Sequence, residues 1–218
     1  MPMTTPRYNT VIWDWNGTLL DDVDISIAST QALLAERGLP LLTKEHYKEV
    51  FGFPVRNYYA TIGFDFSKEP FEIPANQYMD NYRTLSSQAK LNSEAIETMK
   101  KLKEAGCRQY ILSAMEGNLL REMTTATGIT QYLDGTFGIE NDYADSKAHI
   151  GKRMVMHLNL DPRYCLMVGD TQHDAEVAKE CGFDCLLYSG GHFSKTRLEA
   201  LRVPVIDSLK DVLEAICL

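Results

Sequence analysis

The sequence predicts an α/β protein, with a Rossmann-like parallel sheet covered by helices on both faces and a small α-helical domain inserted near its start. Short apolar runs that end at polar residues recur along the chain, and helical patterns lie between them. This alternation favours parallel strands, because each intervening helix returns the chain to the same edge of the sheet. A long, mainly helical stretch after the first strand breaks the alternation and indicates the insertion.

The predicted strands cover residues 10–14, 109–113, 164–169, 184–188 and 203–206, where apolar side chains run together. Two later helices are predicted from apolar side chains that repeat on one face, namely Ile96, Met99 and Leu102 in the first and Ile150, Met154 and Leu158 in the second. Helix ends are predicted at Gly106, Gly128 and Gly182.

The inserted segment begins with a predicted helix over residues 22–37, with an apolar face of Ile25, Ala28, Ala32 and Ala35, ended by Gly38. Further helices are predicted over 44–50 and 75–86, and the run 51–54, which contains a glycine and a proline, ends the first of them. We therefore expect residues 22–90 to form a helical cap domain, and residues 1–21 with 91–218 to form the α/β core. The aromatic residues of the segment are expected in the cap core, among them Tyr58, Tyr59, Phe64 and Phe66.

Composition indicates an ordinary soluble protein of one or two domains: the chain has 218 residues, of which 44% are hydrophobic and 24% charged. A net charge of −8 disfavours binding to nucleic acid, because both partners are negative. No apolar run approaches the roughly 20 residues of a membrane span, and the first residues lack the apolar core of a signal peptide. We expect a cytoplasmic monomer or homodimer.

The cysteines predict no metal site and no disulfide. Their number is odd, and most lie within apolar stretches: Cys107, Cys165, Cys181, Cys185 and Cys217. No histidine or cysteine pair near the 181/185 pair completes a zinc site. Reduced, buried thiols are the expectation.

Polar residues stand where the predicted strands end. Asp14 ends the first strand, Ser113 ends the strand at 109–113, and Asp170 follows the strand at 164–169. Asp174 and Lys147 lie at predicted helix starts. Because ligands of open α/β sheets bind at the carboxyl ends of the strands, we expect these side chains to converge on one edge.

With these motifs the chain resembles the haloacid dehalogenase superfamily, and within it the phosphoglycolate phosphatase-like proteins with a helical cap after the first motif. The resemblance covers almost the whole chain and rests on 14–18, Ser113, Lys147 and the Gly-Asp-x-x-x-Asp run 169–174, in the family's order. It implies a Mg²⁺-dependent hydrolase of small phosphorylated metabolites.

The resemblance implies a role for each motif. Asp14 would attack phosphorus and form an aspartyl phosphate, since a carboxylate nucleophile splits hydrolysis into two easier steps. Mg²⁺ would be held by Asp14, the main-chain oxygen of Asn16 and Asp170, with Asp174 acting through the outer shell.

The remaining implied contacts concern the substrate and its charge. Ser113 would hydrogen-bond a phosphate oxygen, Lys147 would balance the charge of the reacting groups, and Thr18 would belong to the substrate-binding loop. Lys152 is a competitor for the lysine role, although its spacing to Asp170 is short for the family. Within the cap, Arg56 is a candidate for binding an anionic substrate group.

Position 16 departs from the family pattern. Family phosphatases carry aspartate there, which protonates the leaving group, whereas Asn16 cannot exchange a proton at neutral pH. General acid–base catalysis contributes roughly 10²–10⁴-fold, so a slow enzyme or a trapped phosphoenzyme is one outcome. His173 or Glu116 could replace the missing group. Asn16 could equally be an inactivating substitution.

Two other functions remain open at this point. One is a protein that binds phosphorylated ligands with little turnover. The other resembles phosphonoacetaldehyde hydrolase, which lacks aspartate at the same position and uses a cap lysine as a Schiff base; Lys44, Lys48 and Lys68 are the cap lysines considered. The metal-independent dehalogenases lack the Gly-Asp-x-x-x-Asp pattern, so Asp170 and Asp174 argue against that branch.

Overall fold

The computed structural model describes residues 7–140 and 146–217. The strands, in chain order, are β1 Thr10–Trp13, β2 Leu20–Asp21, β3 Lys90–Leu91, β4 Arg108–Glu116, β5 Gly135–Ile139, β6 Cys165–Gly169, β7 Asp184–Tyr188 and β8 Val205–Ile206. Six of them form one sheet in the order β5-β4-β1-β6-β7-β8, and every neighbouring pair in it is parallel. The predicted fold class is confirmed.

Helices cover both faces of this sheet. The α-helices of the described residues are α1 Val23–Glu36, α2 Lys44–Val50, α3 Val55–Thr61, α4 Glu72–Ser86, α5 Ala95–Glu104, α6 Gly117–Ala126, α7 Lys147–His157, α8 Gln172–Cys181, α9 Lys195–Glu199 and α10 Asp211–Cys217. Of these, α5, α6 and α10 pack on one face of the sheet, and α7 and α8 pack on the other. Because side chains alternate along a strand, Val11 and Trp13 of β1 pack with α5, α6 and α10, whereas Ile12 packs with α7 and α8. The central strand β1 is therefore buried on both sides.

The helices α1 to α4 share an apolar core of their own, which includes Leu33, Tyr47, Tyr58 and Tyr59. The chain enters and leaves this helical segment through β2 and β3, which pair antiparallel with Leu20 opposite Leu91. Helix α2 has the bounds predicted for it, and α4 begins three residues earlier than predicted.

The predicted apolar face of α1 is wrong. Ala28, Ala32 and Ala35 are exposed, and the buried face instead carries Ile27, Leu33 and Leu34 together with three hydroxyl residues, Ser26, Ser29 and Thr30. The hydroxyls of Ser29 and Thr30 donate to main-chain oxygens one turn earlier, at 2.9 and 3.0 Å, so their burial leaves no donor unsatisfied. A pattern based on apolarity alone could not identify this face.

Strand β5 was not predicted, because its sequence Gly-Thr-Phe-Gly-Ile is short and rich in glycine. It forms the edge of the sheet beside β4. The other predicted strands are present, with β4 extending to Glu116 beyond the predicted end.

Four cysteines are thiols, of which Cys107, Cys165 and Cys181 are buried and Cys185 is half-buried. The side chain of Cys217 and residues 1–6, which carried the expectation about a signal peptide, lie outside the described residues. Among the helices of the described ranges, none combines the length and apolar composition needed to cross a bilayer.

Helix α5 offers a test of the predicted apolar faces. Met99 is fully buried, but Ile96, predicted on the same face, is 45% exposed. Replacement of Met99 by alanine should lower the free energy of unfolding by about 2–4 kcal/mol, because it leaves a cavity in the core. The matched variant Ile96→Ala should lower it by about 0.5 kcal/mol or less. Urea denaturation followed by circular dichroism measures both, and equal losses would contradict this assignment of the core.

Candidate active site

The polar residues predicted at the strand ends meet at one edge of the sheet. Asp14 follows β1, Asp170 follows β6, and Ser113 lies in β4, the other neighbour of β1. Helix α7 begins with Lys147, and α8 brings Asp174 in its first turn. All five side chains are buried. The convergence follows from parallel strands whose carboxyl ends share an edge.

Lys147 lies at the centre of this cluster. Its ammonium group donates to Asp14 Oδ1 and, at 2.5 Å, to Asp174 Oδ1. Burial alone would lower the pKa of Lys147, but attraction to Asp14 and Asp174 outweighs it and raises that pKa. The lysine is therefore charged and holds the two carboxylates together. Lys152, the competitor for this role, is exposed and pairs with Glu180 at 2.7 Å.

Asp174 also caps α8. Its Oδ2 accepts from the main-chain nitrogens of Asp170 and Thr171 at 3.1 and 3.0 Å, and from the Thr171 hydroxyl at 2.8 Å. Burial raises the pKa of Asp174, but Lys147 opposes this effect and the pKa lies below its usual value. One carboxylate oxygen thus fixes the helix start while the other faces Lys147 and the site.

The cluster fits a divalent cation. Asp14, Asp170 and Asp174 each offer a carboxylate oxygen, and these oxygens lie within 4.8 Å of one another. Burial raises the pKa of Asp14 well above its usual value and that of Asp170 to about 6. When all three carboxyls are ionised, their charge exceeds that of Lys147, which contacts two of them, and a hard dication with oxygen ligands would neutralise the excess.

The amide of Asn16 is bound by two neighbouring side chains. Its Nδ2 lies 2.7 Å from Asp22 Oδ2 and 2.7 Å from the hydroxyl of Tyr82, which itself donates to Asp22 Oδ2. The main-chain nitrogen of Gly17 donates to the other oxygen, Asp22 Oδ1, at 2.8 Å. Both amide hydrogens of Asn16 are therefore used inside the protein, and Asp22 accepts from three groups at once.

His192 completes the site and was missed by the sequence reasoning. Its main-chain nitrogen donates to Asp170 Oδ2 at 2.6 Å, and its Nε2 lies 3.4 Å from Asp22 Oδ1. The hydroxyl of Tyr47 is 2.8 Å from Nδ1. Burial lowers the pKa of His192, but Asp22 raises it by more, to about 9, so the imidazole is cationic at neutral pH.

Two glycines make room for this arrangement. Gly17 has φ +74°, and a Cβ there would lie 2.4 Å from the His192 ring, while a Cβ at Gly191 would lie 2.1 Å from Asp170 Oδ2. The run Gly190-Gly191-His192 follows the predicted strand 184–188 by one residue. The strand-end rule that found Asp14 and Asp170 could have drawn attention to it.

The other predicted site residues occupy different places. Thr18 is buried and its hydroxyl lies 3.3 Å from Asp170 Oδ1. Ser113 Oγ accepts from the main-chain nitrogen of Met115 at 3.0 Å. Arg56 is not brought to the site: it is exposed, does not line the cavity described below, and its guanidinium carbon lies 4.7 Å from the centre of the Phe66 ring.

Glu116 and His173, the suggested replacements for the acid, both face the cavity. Glu116 is committed to capping α6 through the nitrogens of Asn118 and Leu119, and these bonds lower its pKa. Burial and the charge of Lys147 lower the pKa of His173, which is therefore neutral at pH 7. None of the cap lysines considered lines the cavity: Lys44 pairs with Asp24, Lys48 donates to the Gly190 oxygen, and Lys68 pairs with Asp65.

A cavity of about 260 Å³ lies above the cluster, between the sheet edge and the helical segment. Asp14, Ser113, Lys147 and Asp170 line its floor, and the helical segment supplies much of the remainder together with the end of β4, the start of α8 and His192. The arrangement presents a buried carboxylate, a lysine and a cation-binding cluster to any molecule that enters.

Comparisons with known proteins identify a family and relatives over most of the chain. The model of the haloacid dehalogenase-like hydrolase family matches residues 11–188. A 5'-nucleotidase of Pseudomonas aeruginosa is 25% identical over 89% of this chain and 88% of its own, and a phosphoglycolate phosphatase of Xanthomonas campestris is 26% identical over 83% and 81%. The structure of a haloacid dehalogenase-like family protein from Streptococcus pneumoniae superposes with a TM-score of 0.82 at 22% identity, covering 95% of this chain and 98% of that one.

The pairing of Asn16 with Asp22 can be tested by Asn16→Asp. The variant would place two buried carboxylates in contact, so we expect it to lower the free energy of unfolding by about 2–4 kcal/mol at pH 7.5. Repulsion between the two carboxylates raises the pKa of one of them in the folded state. The loss of unfolding free energy should therefore be complete above that raised pKa. It should vanish as the pH falls toward about 4, the pKa of the same carboxyl in the unfolded chain. Urea denaturation at pH 7.5 and 5 measures it.

Asp22→Asn in the Asn16→Asp background is the control, because it returns one amide and one carboxylate to the pair. It should recover part of the lost stability at pH 7.5. Stability of Asn16→Asp equal to that of the parent at pH 7.5 would show that the contact with Asp22 does not constrain position 16.

Proposed function

Since the chain belongs to the haloacid dehalogenase-like hydrolases, we propose that it is a Mg²⁺-dependent phosphatase that acts on small phosphorylated metabolites through Asp14. The observation that carries the proposal is the buried group of Asp14, Lys147, Asp170 and Asp174 at the floor of the cavity. Perturbed carboxylates that converge in a cavity mark a reactive site. The relatives named above, a 5'-nucleotidase and a phosphoglycolate phosphatase, both carry the names of phosphate-ester hydrolases, which supports the proposal.

Asp14 is the proposed nucleophile. Its Oδ1 accepts from Lys147, which orients the carboxylate and lowers the cost of bringing it close to an anionic phosphate. Attack on phosphorus would form the aspartyl phosphate and break the P–O bond to the leaving group, whose oxygen would take a proton from water. A second water would then cleave the acyl phosphate, which releases inorganic phosphate and restores the Asp14 carboxylate. Burial beneath the helical cap, residues 22–90, would exclude other water from the site.

Mg²⁺ would be held by Asp14, Asp170 and the main-chain oxygen of Asn16, with Asp174 acting through a water. When bound, it would supply charge neutralisation between the phosphate and the carboxylate nucleophile. His192 and Thr18 each contact one carboxylate oxygen of Asp170 and fix its orientation.

Ser113 is the proposed contact for a phosphate oxygen. It lines the cavity, and its oxygen accepts from Met115, which leaves the hydroxyl hydrogen free to donate. The hydroxyl of Thr18 hydrogen-bonds to Asp170, so we assign Thr18 to supporting the metal site rather than to binding the substrate. Arg56 has no part in the proposed mechanism.

A second candidate function follows from Asn16. Both of its amide hydrogens are engaged by Asp22 and Tyr82, so the position supplies neither a proton nor a hydrogen bond to a leaving group. A protein that binds phosphate esters and turns them over slowly fits this observation. A phosphonoacetaldehyde hydrolase-like reaction has no comparable support, because no cap lysine lines the cavity.

Metal binding should depend on pH through Asp170. A cation requires the ionised carboxylate, and a pKa of about 6 means that protons compete with it below that pH. The pKa of Asp14, a second proposed ligand, is also raised, so we expect the affinity for Mn²⁺, measured by isothermal titration calorimetry, to fall by about tenfold or more per pH unit below pH 6. Asp170→Asn should weaken binding at every pH. Equal affinity at pH 5 and 7.5 would contradict this role.

The nucleophile can be tested with an aryl phosphate, whose good leaving group needs no general acid. The parent should hydrolyse it in Mg²⁺, EDTA should abolish the reaction, and Asp14→Asn should lower kcat by about 10³-fold or more. Asp21→Asn, which removes an exposed carboxylate close in sequence, is the matched control and should leave kcat unchanged. Activity retained in Asp14→Asn would refute the mechanism. Mg²⁺-dependent binding of inorganic phosphate without turnover in the parent would favour the second candidate.

A further inference from the structure

The wall of the cavity is aromatic. Seven tyrosine and phenylalanine side chains from the helical segment line it: Tyr47, Phe51, Phe53, Tyr58, Tyr59, Tyr78 and Tyr82. Met79 and Met115 add further apolar surface. A cavity of about 150 Å³ with apolar walls admits benzene, so a cavity of about 260 Å³ has room for a ring next to a phosphate group. The wall is suited to a flat apolar group.

The cavity offers no uncommitted cation. No arginine lines it in the described ranges, and its one lysine, Lys147, is bound to Asp14 and Asp174. Both histidines of the lining already contact carboxylates: His192 Nε2 lies 3.4 Å from Asp22 Oδ1, and His173 Nδ1 lies 3.8 Å from Glu176 Oε2. The chain outside the described residues, 1–6, 141–145 and 218, contains no lysine or arginine.

A second anionic group on the substrate would therefore be unpaired. Five carboxylates line the same cavity, those of Asp14, Asp22, Glu116, Asp170 and Asp174. A buried charge without a partner is strongly unfavourable, and like charges nearby increase the cost. A leaving group with a carboxylate, as in phosphoglycolate, should be rejected.

Tyr58 adds a polar contact to the apolar wall. It is 3% exposed, lines the cavity, and its hydroxyl lies near that of Thr30 with no other partner in the described part of the chain. Burial raises its pKa, which the nearby Thr30 hydroxyl opposes. An unsatisfied buried hydroxyl beside an empty volume can donate to a polar atom of a bound molecule.

We propose that the substrates are phosphate monoesters whose leaving group is uncharged and carries a flat apolar ring, seated against the aromatic wall. The inference rests on the proposed phosphate site and adds the class of the leaving group. Substrate selection would come from apolar contact and from the lack of an uncommitted cationic side chain in the described lining, because a site without a partner for a charge discriminates against it.

The test uses three phosphonates that share the phosphate-like head and cannot be hydrolysed by this route: benzylphosphonate, methylphosphonate and phosphonoacetate. Isothermal titration calorimetry of the parent in Mg²⁺ gives their Kd values whether or not the protein turns over. We expect benzylphosphonate to bind about tenfold or more tightly than methylphosphonate, and phosphonoacetate no more tightly than methylphosphonate. Phosphonoacetate binding as tightly as benzylphosphonate would overturn the proposal.

A matched pair of variants tests the role of the missing cation. Met79→Arg places a guanidinium at the rim of the cavity, where Met79 is 37% exposed, and should strengthen phosphonoacetate binding about tenfold. Ile73→Arg adds the same charge on the same helix, at a 45% exposed position that does not line the cavity, and should leave all three Kd values unchanged. Equal effects of the two variants would refute the explanation.

Failure of the proposed function gives a different result. If inorganic phosphate and all three phosphonates fail to bind in Mg²⁺, the phosphate site itself is absent and both proposals fall. If inorganic phosphate binds but benzylphosphonate binds no more tightly than methylphosphonate, only the assignment of the leaving group is wrong.

Discussion

The site depends on the contact of Lys147 with two buried carboxylates. A charged group is stable in the interior only when it is paired and hydrogen-bonded, and Lys147 meets this condition through Asp14 and Asp174. The same contact ties the end of β1 to the starts of α7 and α8, so it also fixes how these elements meet. Because Asp14, Asp170 and Asp174 bring their carboxylate oxygens within 4.8 Å of one another, the cluster also offers a place where a divalent cation could be held.

Asp22 joins this chemistry to the helical segment. It precedes α1 and accepts from Asn16 and Gly17 in the first loop, from Tyr82 of α4, and lies next to His192, which binds Asp170. Arg197 of α9 makes a second connection by donating to the main-chain oxygens of Lys48 and Phe51. A substitution at position 16 therefore changes the contacts between the first loop and the helical segment as well as the chemistry of the side chain at that position.

The sequence predicted the parts that follow local rules. Strand ends, glycines and the order of motifs indicated Asp14, Ser113, Lys147, Asp170 and Asp174, and these residues do lie together. It could not identify Asp22 or His192, because a carboxylate before a helix is ordinarily a cap, and only the folded chain brings Asn16, Tyr82 and His192 to it. Arg56 was suggested by its charge, and only the folded chain shows that its guanidinium lies against the Phe66 ring instead of in the cavity.

The predicted aromatic residues of the cap core are of two kinds. Phe64 and Phe66 lie in that core alone, whereas Tyr58 and Tyr59 belong to it and also line the cavity.

Because some aromatic residues both pack in the cap core and line the cavity, a substitution at any of them changes the stability of the cap as well as the shape of the cavity. Tyr47, Tyr58 and Tyr59 are almost fully buried and pack against the other cap helices, so truncating any of them removes core contacts along with cavity wall. Phe53 and Met79, which are 47% and 37% exposed, line the cavity without belonging to that core. Substitutions at the rim can alter the surface offered to a leaving group at little cost in stability, whereas substitutions deeper in the wall change stability and selectivity together. Differences in specificity between chains with this cap should therefore arise first at such rim positions.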